Sequence, residues 1–419
     1  MKVLWLCNMV LPEISDAIGL ERNPFGGWLT GAAQYISSFD NIDLAICCPQ
    51  KMKSNIIEGD IKDKYHYYCF YNDSKCNYEY DLETENVFRE ILYKYNPDIV
   101  HIWGSEYPNA LVMSRVNKKG NTLLSIQGIC EMYKNHYLVD IPHKIVYRYT
   151  VRDLIRRDNL YQQYCNFCKI AELEKETFNN CHAVIGRTEW DKASAQILNS
   201  NVIYYNCNET LRDSFYSNEW SIDKCEKHTI FVSQWNYPIK GFHNLLKAMP
   251  LVLRRYPDAK IYTTGVSPFD MPIYRLTSYQ KYIKELILKY SLKDNVCFLG
   301  VLNEQQMCDR YLKSNVFVSP SSIENSPNSV GEAMLLGMPI VASFVGGTQD
   351  MLKDKEEGFL YQKDAFYMLS EYICRFFDDD LVASIMGRKA RNHALKTHDR
   401  EKNADDLYSI YLNFFARNN

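Results

Sequence analysis

The chain opens on an apolar run, KVLWLC (2–7), and short apolar runs recur along its length with polar, helix-periodic stretches between them. In the first half the later runs are IDLAICC (42–48), DIVHIW (98–103), TLLSIQ (122–127) and HAVIG (182–186). Runs this short, rich in Val, Ile and Leu, fit buried strands. Between them, apolar positions at helical spacing predict a helix from Gly26-Gly27 to about Phe39, another over 84–95 and a third over about 160–180. Strands that alternate with helices imply a parallel sheet covered on both faces.

The second half repeats the scheme. TIFVSQ (229–234), KIYTTG (260–265), NVCFLG (295–300), NVFVSP (315–320) and PIVASF (339–344) read as strands. Helices are predicted from Gly241 to about Tyr256, near 278–290, near 304–313 and over 329–336. The fold class is therefore α/β, with two Rossmann-like, doubly wound domains facing a central cleft. The polar stretch Cys207 to Lys227 marks the boundary. The expected domains are 1–206, 207–396, and a terminal segment 397–419 whose helix, about 400–416, crosses back onto the first domain. In open parallel sheets ligands bind at the carboxyl ends of strands, so the chemistry is expected in the loops that follow them.

Size and composition agree with this picture. A chain of 419 residues is too long for one ordinary core and suits two domains of roughly 200 residues each. A net charge of −3 offers no overall case for nucleic-acid binding. The 14 cysteines sit largely in apolar runs, where a free thiol behaves as a small buried hydrophobe. With no leader-like segment before the first strand, a reducing, cytoplasmic setting is expected. The Cys165/Cys168 pair lacks two further ligands at zinc spacing, so no metal is assigned. The 32 tyrosines read as compositional bias. No apolar run reaches the ~18 residues needed to span a bilayer.

The stretch Ser319 to Asp350 carries the most chemistry. A strand ends at Ser319-Pro320, a polar loop bears Glu324, and Pro327-Asn328-Ser329 start a helix with Asn328 or Ser329 as its cap. Glu332 is expected in the first turn. Free N–H groups at a helix start attract phosphate, and a carboxylate beside them suits vicinal ribose hydroxyls. Alone, Glu332 would be a helix-dipole residue and Glu324 a solvated loop acid. Eight residues apart around a Pro-Asn-Ser turn, they form a pattern.

That pattern, E-x7-E, resembles the donor-site signature of retaining GT-B glycosyltransferases, especially family 4. PIVASFVGG (339–347) is similar to the strand and glycine turn that follow the motif there. Lys240-Gly241, at a helix start, matches the family's Lys-Gly after the first strand of the second domain. The resemblance implies that Lys240 neutralises a diphosphate, and that Glu324, Lys240 and Glu332 do the catalytic work. It implies donor contacts from Gln234, Gly241, Gly265, Gly300, Asn328, Ser329, Val330 and Arg187. Gln234 stands where the family often has arginine, and an amide carries no charge. Gly26-Gly27 resembles the glycine pair after the family's first strand. On the acceptor side the resemblance implies Gly26, Gly27, His101, Glu106, Gln127 and Gly128, with Gln127 where relatives often carry histidine. For His101 a buried, satisfied ring competes with a ligand contact, and Arg187 could instead pair with Asp191.

By that resemblance the co-substrate is a UDP- or GDP-sugar, the acceptor is a saccharide or lipid-linked saccharide, and the setting is bacterial surface polysaccharide assembly. No resident cofactor is expected. No DxD pair lies in a strand-end loop, since Asp378–Asp380 falls in a late helical region; this and the GT-B relatives argue for metal-independent chemistry. A basic, aromatic stretch (142–161) places Arg148, Arg152, Arg156 and Arg157 at helical spacing. It is expected to touch an anionic membrane, at the inner face of the plasma membrane, or grip an acidic, lipid-linked acceptor, or else to be a solvated helix in which Asp153 and Asp158 pair with it. Two other readings share the scaffold: a sugar-nucleotide epimerase or hydrolase, and a catalytically silent sugar-nucleotide-binding scaffold. A dehydrogenase is disfavoured because no GxGxxG follows the first strand.

Overall fold

The computed structural model describes residues 1–22, 26–52, 56–72 and 80–418. The chain forms two compact units, one of Met1–Lys134, Asn166–Leu211 and His398–Asn419, the other of Asn135–Cys165 and Arg212–Thr397.

The first unit holds β1 (Lys2–Leu6), β2 (Asp43–Gln50), β3 (Ile56–Ile61), β4 (Tyr65–Tyr71), β5 (Ile99–Trp103), β6 (Thr122–Ser125), β7 (Ala183–Gly186) and β8 (Ile203–Asn206). They form one sheet in the order β3-β4-β2-β1-β5-β6-β7-β8. Every pairing is parallel except β3 with β4. In β1, Val3 and Trp5 face a core containing Leu29 and Tyr411. Leu4 and Leu6 face the opposite core, with Phe88 and Val112. A strand apolar on both faces is what a helix-covered parallel sheet requires.

Three strands of this sheet escape the reading of apolar runs. β4 is YHYYCFY, in which Tyr65, Tyr67 and Tyr68 are buried. Part of the tyrosine content is therefore core, because aromatic residues suit a pleated, half-buried surface. β3 runs antiparallel at the edge and alternates in burial, and β8 is only four residues long. The closing helix Arg400–Asn418 belongs to this unit. Its Tyr411 hydroxyl accepts from Trp5 Nε1 at 2.8 Å and meets His101 Nδ1 at 2.6 Å.

The second unit holds β9 (Glu226–Val232), β10 (Lys260–Thr263), β11 (Val296–Phe298), β12 (Ser314–Ser319), β13 (Ile340–Ser343) and β14 (Phe359–Tyr361). The order is β11-β10-β9-β12-β13-β14, parallel throughout. The winding reverses between β9 and β12. Loops diverge at such a reversal and leave a crevice at the carboxyl edge.

Residues 135–165, expected in the first domain, belong to the second unit. The basic stretch is not one helix but two short ones, His143–Val146 and Val151–Arg156. Thr150 and Asp153 form a capping box on the second. Asp153, wholly buried, also accepts from the Ser278 hydroxyl at 2.7 Å and the Ser278 N–H at 3.1 Å. Arg148 pairs with Glu285 at 2.7 Å and Arg152 with Asp158 at 2.9 Å. Two of the four arginines are thus spent inside the unit.

Candidate functional site

In the second unit the loop after β9 ends in a tight turn, Pro238–Lys240, and Gly241 opens the helix Phe242–Arg255. Gly241 has φ +65°, and a Cβ there would lie 1.8 Å from the Pro320 carbonyl oxygen. Only glycine admits both the left-handed conformation and that approach. The Ser322 N–H donates to the Ile239 carbonyl at 2.7 Å. The loops after β9 and β12 are thereby pressed together, and Lys240 Nζ meets Glu324 Oε1 at 2.6 Å. The Ser321 hydroxyl donates to the same oxygen at 2.7 Å. From the other side the turn after β13 closes on Glu324. A Cβ on Gly346 would sit 1.9 Å from the Glu324 carbonyl oxygen, which accepts from the Gly347 N–H at 3.0 Å. Burial works against the charge on Lys240, yet the facing Glu324 carboxylate outweighs it and holds the ammonium above the usual lysine range.

The helix after this loop is Asn328–Leu336, and its cap is Pro327, with no side-chain cap bond. Asn328 and Ser329 are its first two residues, so neither is the cap, and Glu332 falls in the second turn rather than the first. The reason is that Pro327, at φ −69° and ψ 118°, already adopts the non-helical conformation a cap needs. Its carbonyl accepts from the Val330 and Gly331 N–H groups. The amides of Asn328 and Ser329 head the helix.

Glu332 is buried, and both of its oxygens are held by Arg212, Nε to Oε1 at 2.6 Å and Nη2 to Oε2 at 2.7 Å. Burial pushes its carboxyl up, and the Arg212 guanidinium pulls it back only in part. The structure thus joins Lys240 with Glu324 and gives Glu332 a different cation. Arg212 lies in the polar stretch read as a boundary, and no periodicity singles it out.

Of the other expected donor residues, Gln234 is exposed in the loop after β9, and Val330 is wholly buried. Gly265 (φ +93°) and Gly300 (φ +73°) join the ends of β10 and β11 by paired backbone bonds of 2.7 and 3.1 Å. Trp235 packs on Phe298 with ring centroids 5.1 Å apart. Its Nε1, with Thr263 Oγ1, Ser322 Oγ and Ser326 Oγ, is buried without a hydrogen-bond partner among the described residues. All four flank the carboxyl edge of the sheet.

In the first unit, Gly26 (φ +88°) caps the helix Gly27–Ile36, at the glycine pair expected to open it. His101 is closed off from the surface. It is wholly buried, and its Nε2 meets Ser125 Oγ at 2.8 Å while Nδ1 meets Tyr411. Burial pushes its pKa down to about 3, so it is a neutral strut between sheet and closing helix. Arg187 does not pair through its guanidinium with Asp191. Its backbone N–H donates there at 2.8 Å, while Nη1 meets Glu209 at 2.5 Å. Gln127 donates to the other Glu209 oxygen at 2.6 Å. The charge of Arg187 is answered by Glu209, as that of Lys240 is by Glu324. Arg187 and Glu209 line a pocket walled by Trp28, Trp103, Asn208 and Thr210.

Glu106 stands beside them. The residue is half-buried, but its Oε2 is sealed from solvent without a partner among the described residues. Burial pushes its carboxyl up to about 7, against the Gly128 N–H and the Arg187 charge. Close by, Glu174 is wholly buried. It accepts from Ser105 Oγ at 2.6 Å and the Glu131 N–H at 2.8 Å, and burial pushes it to about 8. Glu174 and Glu209 were not foreseen, because neither falls in a motif.

A carboxyl raised on folding stabilises the protein below its unfolded pKa and loses that contribution as pH rises through the folded value. For Glu174 the window runs from about 4.5 to about 8, and the loss reaches on the order of 5 kcal/mol at full ionisation. We predict that Glu174→Gln removes much of the wild-type loss of stability between pH 5 and pH 8.5, measured by urea unfolding. Parallel losses in wild type and variant would contradict it.

Residues 213–393 match the family model of glycosyl transferases group 1, a stretch that holds Lys240, Glu324 and Glu332. An uncharacterized glycosyltransferase of Methanocaldococcus jannaschii is 32% identical over 140 residues, covering 33% of each chain. Sucrose-phosphate synthase from Thermosynechococcus elongatus aligns over 100% of both chains, with a TM-score of 0.73 at 15% identity. Anabaena HepE, solved in complex with UDP-glucose, aligns over 98% of this chain and 99% of its own, with a TM-score of 0.65 at 14% identity. The protein therefore has the GT-B fold of glycosyltransferases. Within its second unit, residues 213–393 are similar to the glycosyl transferases group 1 model. The chain matches 33% to 48% of the length of its first curated relatives.

Proposed function

We propose that the protein transfers a sugar, with retention, from a UDP- or GDP-sugar to a saccharide or lipid-linked saccharide acceptor in bacterial surface polysaccharide assembly. The observation that carries this reading is the Lys240–Glu324 pair, clamped at the winding reversal of the second unit by Gly241 and Gly346. A cation so placed, paired with an acid of the loop that leads into the helix Asn328–Leu336, suits a pyrophosphate. Glu332, held by Arg212, keeps a second lone pair on each oxygen for ribose hydroxyls. The UDP-glucose bound to HepE supports the donor class.

In the proposed reaction the anomeric C–O bond breaks and its electron pair goes to the leaving phosphate. The acceptor oxygen bonds the same face of the anomeric carbon and passes its proton to that phosphate. Lys240 and the helix-start amides stabilise the charge that builds there, where a donor contributes most. No metal is assigned a role. Glu106, Gly128, Gln127 and the Arg187–Glu209 pair are the proposed acceptor contacts.

Thermal-shift titration with UDP, GDP, ADP and their sugars tests donor binding, since a ligand of the native state alone raises Tm. NMR of the product tests retention. An inverted anomer would reject the mechanism, and binding of nucleotide sugar without turnover over a panel of acceptors would favour the silent-scaffold reading.

A further inference from the structure

We infer that the exposed apolar face formed by the helix Val151–Arg156 and the turn Ile273–Arg275 docks on an anionic lipid bilayer. The two pieces pack against each other. The Thr150 hydroxyl donates to the Leu276 carbonyl at 2.7 Å, and Asp153 takes the Ser278 hydroxyl. These buried bonds fix the backbone beneath the patch. Above it, Leu154 is 63% exposed, Ile155 78% and Ile273 71%, with Val151 and Tyr274 also exposed. Large aliphatic tips held into solvent on a rigid base mark an interaction surface. Tyr147 and Tyr161, both exposed and in tilted ring contact with centroids 5.0 Å apart, belong to the same segment, and tyrosine suits the boundary between water and lipid.

The charge around the patch selects the partner. Lys144, Arg156, Arg157 and Arg275 are exposed. The windows 141–152 and 271–277 hold no acid; of the acids at their edges, Asp140 faces Lys363, Asp270 is exposed, and Glu285 is answered by Arg148. Asp153 is buried, and Asp158 is answered by Arg152. Arg157 also closes the helix in the left-handed conformation, φ +50°. It adds a second exposed cation two residues after Ile155. A protein interface surrounds its apolar centre with a polar rim; a predominantly cationic rim fits a surface of fixed negative charge, with aliphatic side chains entering the acyl boundary.

Flotation of the full chain with phosphatidylcholine vesicles, with and without phosphatidylserine, tests it. The chain should float at low salt only where phosphatidylserine is present. The double variant Leu154→Asp/Ile155→Asp should abolish flotation. Arg156→Ala/Arg157→Ala should weaken it about 30-fold, from about 1 kcal/mol per cation. Unchanged Tm and unchanged nucleotide-induced Tm shifts show that the variants are folded. No flotation of the wild type, flotation that survives the aspartates, or aspartates that instead abolish self-association in the ultracentrifuge would each overturn the inference.

Discussion

Lys240→Ala should lower kcat/KM for a nucleotide-sugar donor by a factor of about 10²–10³, the usual cost of removing one preorganised donor from a developing anion. The nucleotide-induced rise in Tm should shrink with it. Stability falls too, for a separate reason. Glu324 is buried, and the substitution leaves its carboxylate with Ser321 as the remaining side-chain donor. An uncompensated buried charge costs about 3–5 kcal/mol, which the partial exposure of Lys240 reduces to about 1–3 kcal/mol. The double variant Lys240→Ala/Glu324→Gln separates the two effects. It should recover stability, because the stranded charge is gone, but not activity, because the cation is still missing. Activity that returns with stability would show that Lys240 acts only by supporting the fold.

The second large effect is expected at Arg212. Arg212→Ala leaves Glu332 buried and unpaired, and should destabilise the second unit by about 3–5 kcal/mol. The loss carries a pH signature. Burial already raises the Glu332 carboxyl, and Arg212 is the group that pulls it down. Without the guanidinium the folded-state pKa climbs further above the unfolded value. Stability of the variant is then present below the unfolded pKa and drains away as pH rises through the folded one. The defect should be small in acid and largest above neutrality, and Glu332→Gln in the Arg212→Ala background should relieve most of it. Guanidinium unfolding at several pH values measures this. Equal stability of variant and wild type at pH 8 would mean that the pair contributes nothing.

Much of the architecture is legible along the chain. Runs such as KVLWLC and NVFVSP are apolar on both faces because a parallel sheet is covered on both faces, so β1 and β12 are marked by hydropathy alone. β4 escaped because its core residues are tyrosines, which hydropathy scores poorly although Tyr65 and Tyr68 are buried. The stripe Arg148, Arg152, Arg156 and Arg157 looked like one helix face, yet Thr150 caps a new helix and turns Arg148 to Glu285. His101 ended a strand like a ligand and proved to be a strut, since its partners Tyr411 and Ser125 are 310 and 24 residues away.

What the sequence determined by itself is local. It marked two α/β halves, the Lys-Gly turn, and two acids eight residues apart around a helix start, because periodicity and turn chemistry act between near neighbours. Which cation answers which acid was decided only by the tertiary structure. Lys240 reaches Glu324 across 84 residues and Arg212 reaches Glu332 across 120. Crossover connections carry the chain over the sheet between parallel strands, so side chains far apart in sequence meet at its carboxyl edge, and burial there makes each ion pair matter.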